Sequence, residues 1–181
     1  MHSRELLLKV LNGVLFNIAW LCCVLGGNQL AVATAAVFLA AHFLIVTDSY
    51  AELLLIALIA AAGIAIDMLW FVFGVLVNAD GSDLVPLWLC ALWLCFATTL
   101  SHCFSFLQER LKLAAVVGGL AGAINYLAGV RLSDVELGVS MPLAFVLLLA
   151  LWALLFPALL FAARTFAGRE LLARSADRDA V

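Results

Sequence analysis

The sequence predicts an all-α membrane protein: a compact bundle of six transmembrane helices with both termini on the cytoplasmic side. Three observations carry that expectation. The 181 residues are 67% hydrophobic and 12% charged, with a mean hydropathy of +1.22, whereas soluble domains hold about 45–50% apolar and about 25% charged residues. Six apolar runs approach or exceed the ~20 residues that a helix needs to cross roughly 30 Å of hydrocarbon. Basic residues gather on one side of the loops that those runs define. A water-soluble fold of this length has too little interior to hide so much apolar surface. The net charge of −3, with no basic run inside the bundle, gives nucleic acid no electrostatic footprint.

The first run, Leu6–Gly26, follows Arg4 and contains Lys9, and "GGNQ" separates it from the second, Leu30–Thr47. "DSYAE" leads into the third, Leu53–Val77, and "NADGSD" precedes the fourth, Leu84–Leu107. "QERLK" comes before the fifth, Leu113–Val130, and "RLSDVELGVS" before the sixth, Met141–Ala163. Gly, Asn, Asp and Ser at these joints are turn formers. Successive helices are therefore expected to be antiparallel neighbours in one bundle, residues 1–163, with 164–181 as a short cytoplasmic tail. Arg4, Lys9, Arg110, Lys112, Arg164, Arg169, Arg174 and Arg178 fall on one side of that arrangement, and only Arg131 on the other. The positive-inside bias places both termini in the cytoplasm. A cleaved signal peptide also opens with a basic residue and an apolar run; here Asn12 and Asn17 interrupt the run and no small-x-small site follows it.

Polar side chains inside the runs sort by depth. Asp67, in "GIAIDMLWFVFG", lies about 15 Å inside the outer end of the third run, and Asn125 about 9 Å below Arg131, at ~1.5 Å per residue. Arg131 is long enough to snorkel toward both, so Asp67, Asn125 and Arg131 form a candidate outer buried polar cluster. Ala60, Gly63 and Gly74 share a helical stripe with Asp67, which turns the acid toward other helices. An acid at the centre of a membrane helix costs about 2.5–3.5 kcal/mol on insertion scales. Three readings of it stay open: a packing hydrogen bond to Asn125, a proton carrier, or a polar contact for a head group.

Nearer the cytoplasmic face, Asn12, His42 and His102 each lie roughly 8–9 Å from the boundary by helical rise. Thr98, Thr99 and Ser101 surround His102 in "ATTLSHCF", and Asp48 and Glu52 stand just outside. Asn12, His42, Thr98, Ser101 and His102 make up a candidate inner polar cavity. The histidines are open to three readings: a hydrogen-bonded helix junction, a site for a head group or proton, or ligands to haem or a metal.

No stronger motif is present. The five cysteines, Cys22, Cys23, Cys90, Cys95 and Cys103, sit inside apolar runs without zinc-site spacing. "VVGGLAGAINYLAG" is a close-packing helix face built on Gly118 and Gly122, since no strand or Lys-Ser/Thr accompanies it to make a phosphate loop. There is no Ser-His-Asp order, histidine box or carboxylate pair, so the sequence assigns no catalytic residue, metal ligand or cofactor. The oligomeric state is not encoded in any feature of the chain.

The stretches "LNGVLFNIAWLCCVLG", "PLWLCALWLCFATTLSHCFSFL" and "GGLAGAINYLAGVRL" resemble a family of small polytopic bacterial inner-membrane proteins, domain of unknown function 2878, over essentially the whole chain. The resemblance brings with it no activity, cofactor or catalytic residue. It implies the bacterial inner membrane and a gene neighbourhood of cyclopropane-fatty-acid-synthase-like and flavin-dependent oxidoreductase genes. The role so implied is in membrane-lipid modification, with membrane lipids and a lipid-modifying enzyme as partners. With small-residue faces, minimal loops and no catalytic motif, the leading expectation is a non-enzymatic component that binds or moves a lipidic molecule or assists membrane-lipid (fatty-acid) modification. The alternatives are a small proton-coupled transporter using Asp67 and the His42/His102 layer, and an intramembrane haem or metal protein or enzyme.

Overall fold

The computed structural model describes residues 2–46 and 49–179, with side chains described from Ser3 as far as Gly168. Asp48 and the side chains of Arg169, Arg174 and Arg178 lie outside the described residues. Five α-helices and a two-stranded ribbon follow one another: α1 (His2–Ile45), α2 (Tyr50–Val72), β1 (Leu76–Asn78), α3 (Leu87–Ser101), a 3₁₀ turn (Ser105–Leu107), α4 (Leu111–Leu132), β2 (Val135–Leu137) and α5 (Met141–Asp179). The expected count of six helices is thereby corrected to five, because the first two runs form one helical element.

That element is broken at Gly27, whose φ of 54° and ψ of −154° are non-helical. Such a backbone is open essentially to glycine alone. In an unbroken helix Asn12 and His42 would stand about 45 Å apart at helical rise, yet both line one small cavity of about 20 Å³. The two arms of α1 therefore double back at Gly27.

Four helices, α1, α2, α4 and α5, are long and apolar enough to cross a membrane. The shorter α3 is the hub. Pro86 starts it in extended backbone, His102 stops it, and ten of its fifteen residues are buried. It packs on α1, α2 and α5, while α4 packs chiefly on α5 and barely touches α1. Outward faces of the long helices carry exposed Leu, Val and Ile, among them Leu25, Val37, Leu58 and Leu154, as a lipid-facing surface should.

The ribbon was not expected. The end of the third expected run and part of the loop "RLSDVELGVS" instead pair as antiparallel strands, with Leu76 opposite Leu137, Val77 opposite Glu136 and Asn78 opposite Val135. The third run ends at Val72 rather than Val77 because the chain turns at Gly74, with φ 65°, and passes into β1. Gly74 thus leaves the stripe that it was expected to share with Asp67, while Ala60, Gly63 and Asp67 remain buried on it.

Small residues set the helix spacing. A Cβ on Gly63 would strike the Trp93 indole, one on Gly118 the Phe156 ring and one on Gly122 the Trp152 indole. The Gly118/Gly122 face is a close-packing face, and its partner is the aromatic side of α5.

Candidate functional site

Two polar clusters lie in the bundle, one at the C-terminal end of α3 and one at its middle. At the end shared by the α2 start and the α3 finish, Ser49 caps α2 by accepting the backbone N–H of Glu52 at 3.2 Å. Helix α2 therefore begins earlier than the third run suggested, and Glu52 sits in its first turn, facing inward. Its Oε1 lies 3.0 Å from His42 Nε2, on the second arm of α1, and 2.6 Å from His102 Nε2, at the end of α3. A carboxylate only accepts, so each Nε2 is the donor and both imidazoles lean on one oxygen. The two rings are 5.0 Å apart at 74°.

His102 reaches this position because α3 ends at it. Its backbone, φ −117° and ψ −92°, is non-helical. Around it, Thr98 accepts from Asn12 Nδ2 at 3.1 Å and donates to the Cys95 carbonyl at 2.9 Å. Asn12 Oδ1 accepts the Cys103 N–H at 3.4 Å, which ties the first arm of α1 to the turn after α3. The structure thus joins His42 to His102 and Asn12 to Thr98. Ser101 is half-buried and makes no side-chain hydrogen bond among the described residues. The cavity expected to be shared by three helices is smaller than that: Asn12 and His42 line it, but His102 does not. The residue that sequence reasoning misplaced is Glu52. The capping serine three positions before it was the signal, since S-x-x-E is a helix-start pattern.

The second cluster replaces the outer one that the sequence suggested. Asp67 is fully buried, but neither Asn125 nor Arg131 is its partner. Both are exposed on α4. Instead, Trp93 Nε1–H donates to Asp67 Oδ2 at 2.6 Å and the Tyr126 hydroxyl donates to Oδ1 at 2.6 Å. The cause is helical phase. Asn125 and Tyr126 are adjacent, about 100° apart around α4 at 3.6 residues per turn, so only one of them faces α2 and α3. An indole N–H and a phenol O–H at matching depth were the available signal, because a buried carboxylate requires donors.

Trp93 and Tyr126 also line a half-enclosed cleft of about 140 Å³, walled by Phe16 and Trp20 of α1, Trp88 and Phe96 of α3, and Trp152 and Phe156 of α5. Trp93 stacks on Trp152, their ring centroids 5.6 Å apart and their planes 4° from parallel. Val117, Ala121 and Asn125, exposed at helical spacing on α4, rim the opening. The cleft exists because α4 leans on α5 and leaves α1. The buried indole N–H groups of Trp88 and Trp152 find no acceptor among the described residues.

No curated protein and no solved structure matches the chain. A family model described as "Protein of unknown function (DUF2878)" matches residues 9–158, which hold both polar clusters and the whole cleft lining, and the chain belongs to that family.

Proposed function

We propose that this protein is an inner-membrane component that binds the hydrocarbon part of a lipidic molecule in the cleft between α1, α3, α4 and α5, in support of membrane-lipid modification. The cleft itself carries the reading. It is walled almost entirely by aromatic and aliphatic side chains, and its rim lies on the exposed face of a helix apolar enough to cross a membrane. A dry apolar cavity of about 150 Å³ is large enough for a benzene-sized group, so a ring or a bent stretch of acyl chain is the matching occupant. Asp67, with both oxygens occupied, has the task of fixing the Trp93 and Tyr126 side chains of the cleft wall.

The same proposal includes the topology. Each arm of α1 crosses the membrane separately, giving six crossings with α3, and the basic residues place both termini in the cytoplasm. The His42–Glu52–His102 cluster then lies on the cytoplasmic side and the ribbon on the periplasmic side.

The test is photolabelling of the detergent-purified protein with a diazirine-bearing phospholipid. Labelling should map to peptides containing Trp88, Trp93 or Tyr126 and be lost in Ala121→Trp, which fills the mouth. It should persist in Ala36→Trp, on an exposed face of α1. Equal labelling of the two variants would overturn the cleft as the binding place.

A further inference from the structure

We propose that His42, Glu52 and His102 bind one divalent transition-metal ion, zinc by preference. Three ligand-bearing side chains from three separate helix ends offer one atom each, and those atoms all lie within 4.8 Å of one another. Zinc sits about 2.0–2.2 Å from imidazole nitrogen and carboxylate oxygen in a tetrahedral shell, so neighbouring ligand atoms stand ~3.3 Å apart. The Nε2–Oε1 separations of 3.0 and 2.6 Å fall short of that by less than an ångström. Small side-chain rotations admit the ion.

The proton inventory points the same way. Without an ion, both imidazoles must hold their proton on Nε2 to serve a single oxygen, while the second carboxylate oxygen has no partner among the described residues. An ion takes the place of both bridging protons and leaves each ring neutral, with Nδ1 free to hold the proton.

The donor set selects the class of ion. Two imidazoles and one carboxylate suit zinc and its first-row neighbours rather than a soft monovalent ion. Cys103, the nearest thiol in sequence, packs against Gly13 instead. Haem is a poorer match, because both nitrogens converge on one oxygen rather than facing each other across a plane, and the space beside His42 holds only about 20 Å³.

Access is on one side. The His42 side chain is 2% exposed, whereas those of Glu52 and His102 are 11% and 18% exposed. Three protein ligands leave a fourth position, the pattern of zinc sites that take a water or another small ligand. The site would also tie α1, α2 and α3 together at one end of the bundle, independently of any occupant of the cleft.

The experiment uses the full chain in detergent without a histidine tag. Co²⁺ is titrated in while visible ligand-field absorption is recorded, Zn²⁺ then competes, and bound metal is counted after gel filtration. Expected are saturable cobalt bands, displacement by Zn²⁺ and one ion per chain. Glu52→Gln and His102→Ala should lose both the bands and the bound ion, and His2→Ala should keep them. Absence of saturable bands in the monodisperse native protein overturns the site whatever the variants do. So does undiminished binding in the folded variants.

Discussion

Trp93 and Tyr126, from different helices, donate to opposite oxygens of one fully buried carboxylate, Asp67, each at 2.6 Å. The acid that looked like an isolated polar intrusion is the knot between α2, α3 and α4. Because Trp93 also stacks on Trp152, the knot extends to α5, and the aromatic wall of the cleft is held by a polar anchor behind it.

Replacing Asp67 should therefore be felt through its partners. Asp67→Leu leaves an indole N–H and a phenol O–H buried and unpaired, each at about 1–3 kcal/mol. Asp67→Asn keeps an acceptor oxygen for one of them and should lose roughly half as much. Thermal melts in detergent should rank native above Asn above Leu. If the Leu variant melts with the native protein, the anchor contributes nothing.

Removing Glu52 has a different signature. Glu52→Ala takes away the shared acceptor of two imidazoles, of which His42 is nearly enclosed, and should destabilise by about 1–3 kcal/mol. Added Zn²⁺ should raise the native melting temperature by mass action and leave that of Glu52→Ala unchanged. An equal zinc effect on both would place binding elsewhere.

Packing makes the third contrast. Gly122 lies against the Trp152 indole with no room for a Cβ, so Gly122→Leu forces α4 and α5 apart at a contact that depends on close approach. Ala36 faces outward from α1, and Ala36→Leu should leave the melt within about 0.5 kcal/mol of native, as surface substitutions generally do. Matching losses would remove the close-packed α4–α5 face as a source of stability.

What the sequence displayed was governed by composition and period. Apolar runs, the Gly118/Gly122 face and the convergence of His42 with His102 followed from hydropathy, helical spacing and equal depth. What it hid depended on contacts distant in the chain or on helix ends. Glu52 precedes the third apolar run, so hydropathy sets it outside the helix, whereas the Ser49 cap starts α2 before it. Hydropathy ranks an amide above a phenol and so points to Asn125, while helical phase turns Tyr126 toward Asp67. The ribbon was invisible because Leu76–Asn78 and Val135–Leu137 each have three residues, too short for an alternating pattern to register.

The two-armed shape of α1 leads to the last prediction. Gly27 holds φ 54° and ψ −154°, a region that costs a residue with a Cβ about 1–3 kcal/mol. Leu11 and Ala41, on opposite arms, border the same small cavity. In a background whose five native cysteines are replaced by alanine, Leu11→Cys and Ala41→Cys should be joined by a short bifunctional thiol reagent. A helix unbroken at Gly27 would hold these positions about 45 Å apart by its rise, beyond any such reagent. Gly27→Val should weaken the cross-link, because a β-branched residue resists the reversal and favours continuing the helix through it. It should also lower zinc retention, since His42 is carried to Glu52 by the returning arm. Efficient cross-linking in Gly27→Val would show that the reversal is imposed by packing of the arms on α3 rather than by the glycine. Failure of the native pair to cross-link would remove the hairpin altogether, and with it the six-crossing topology.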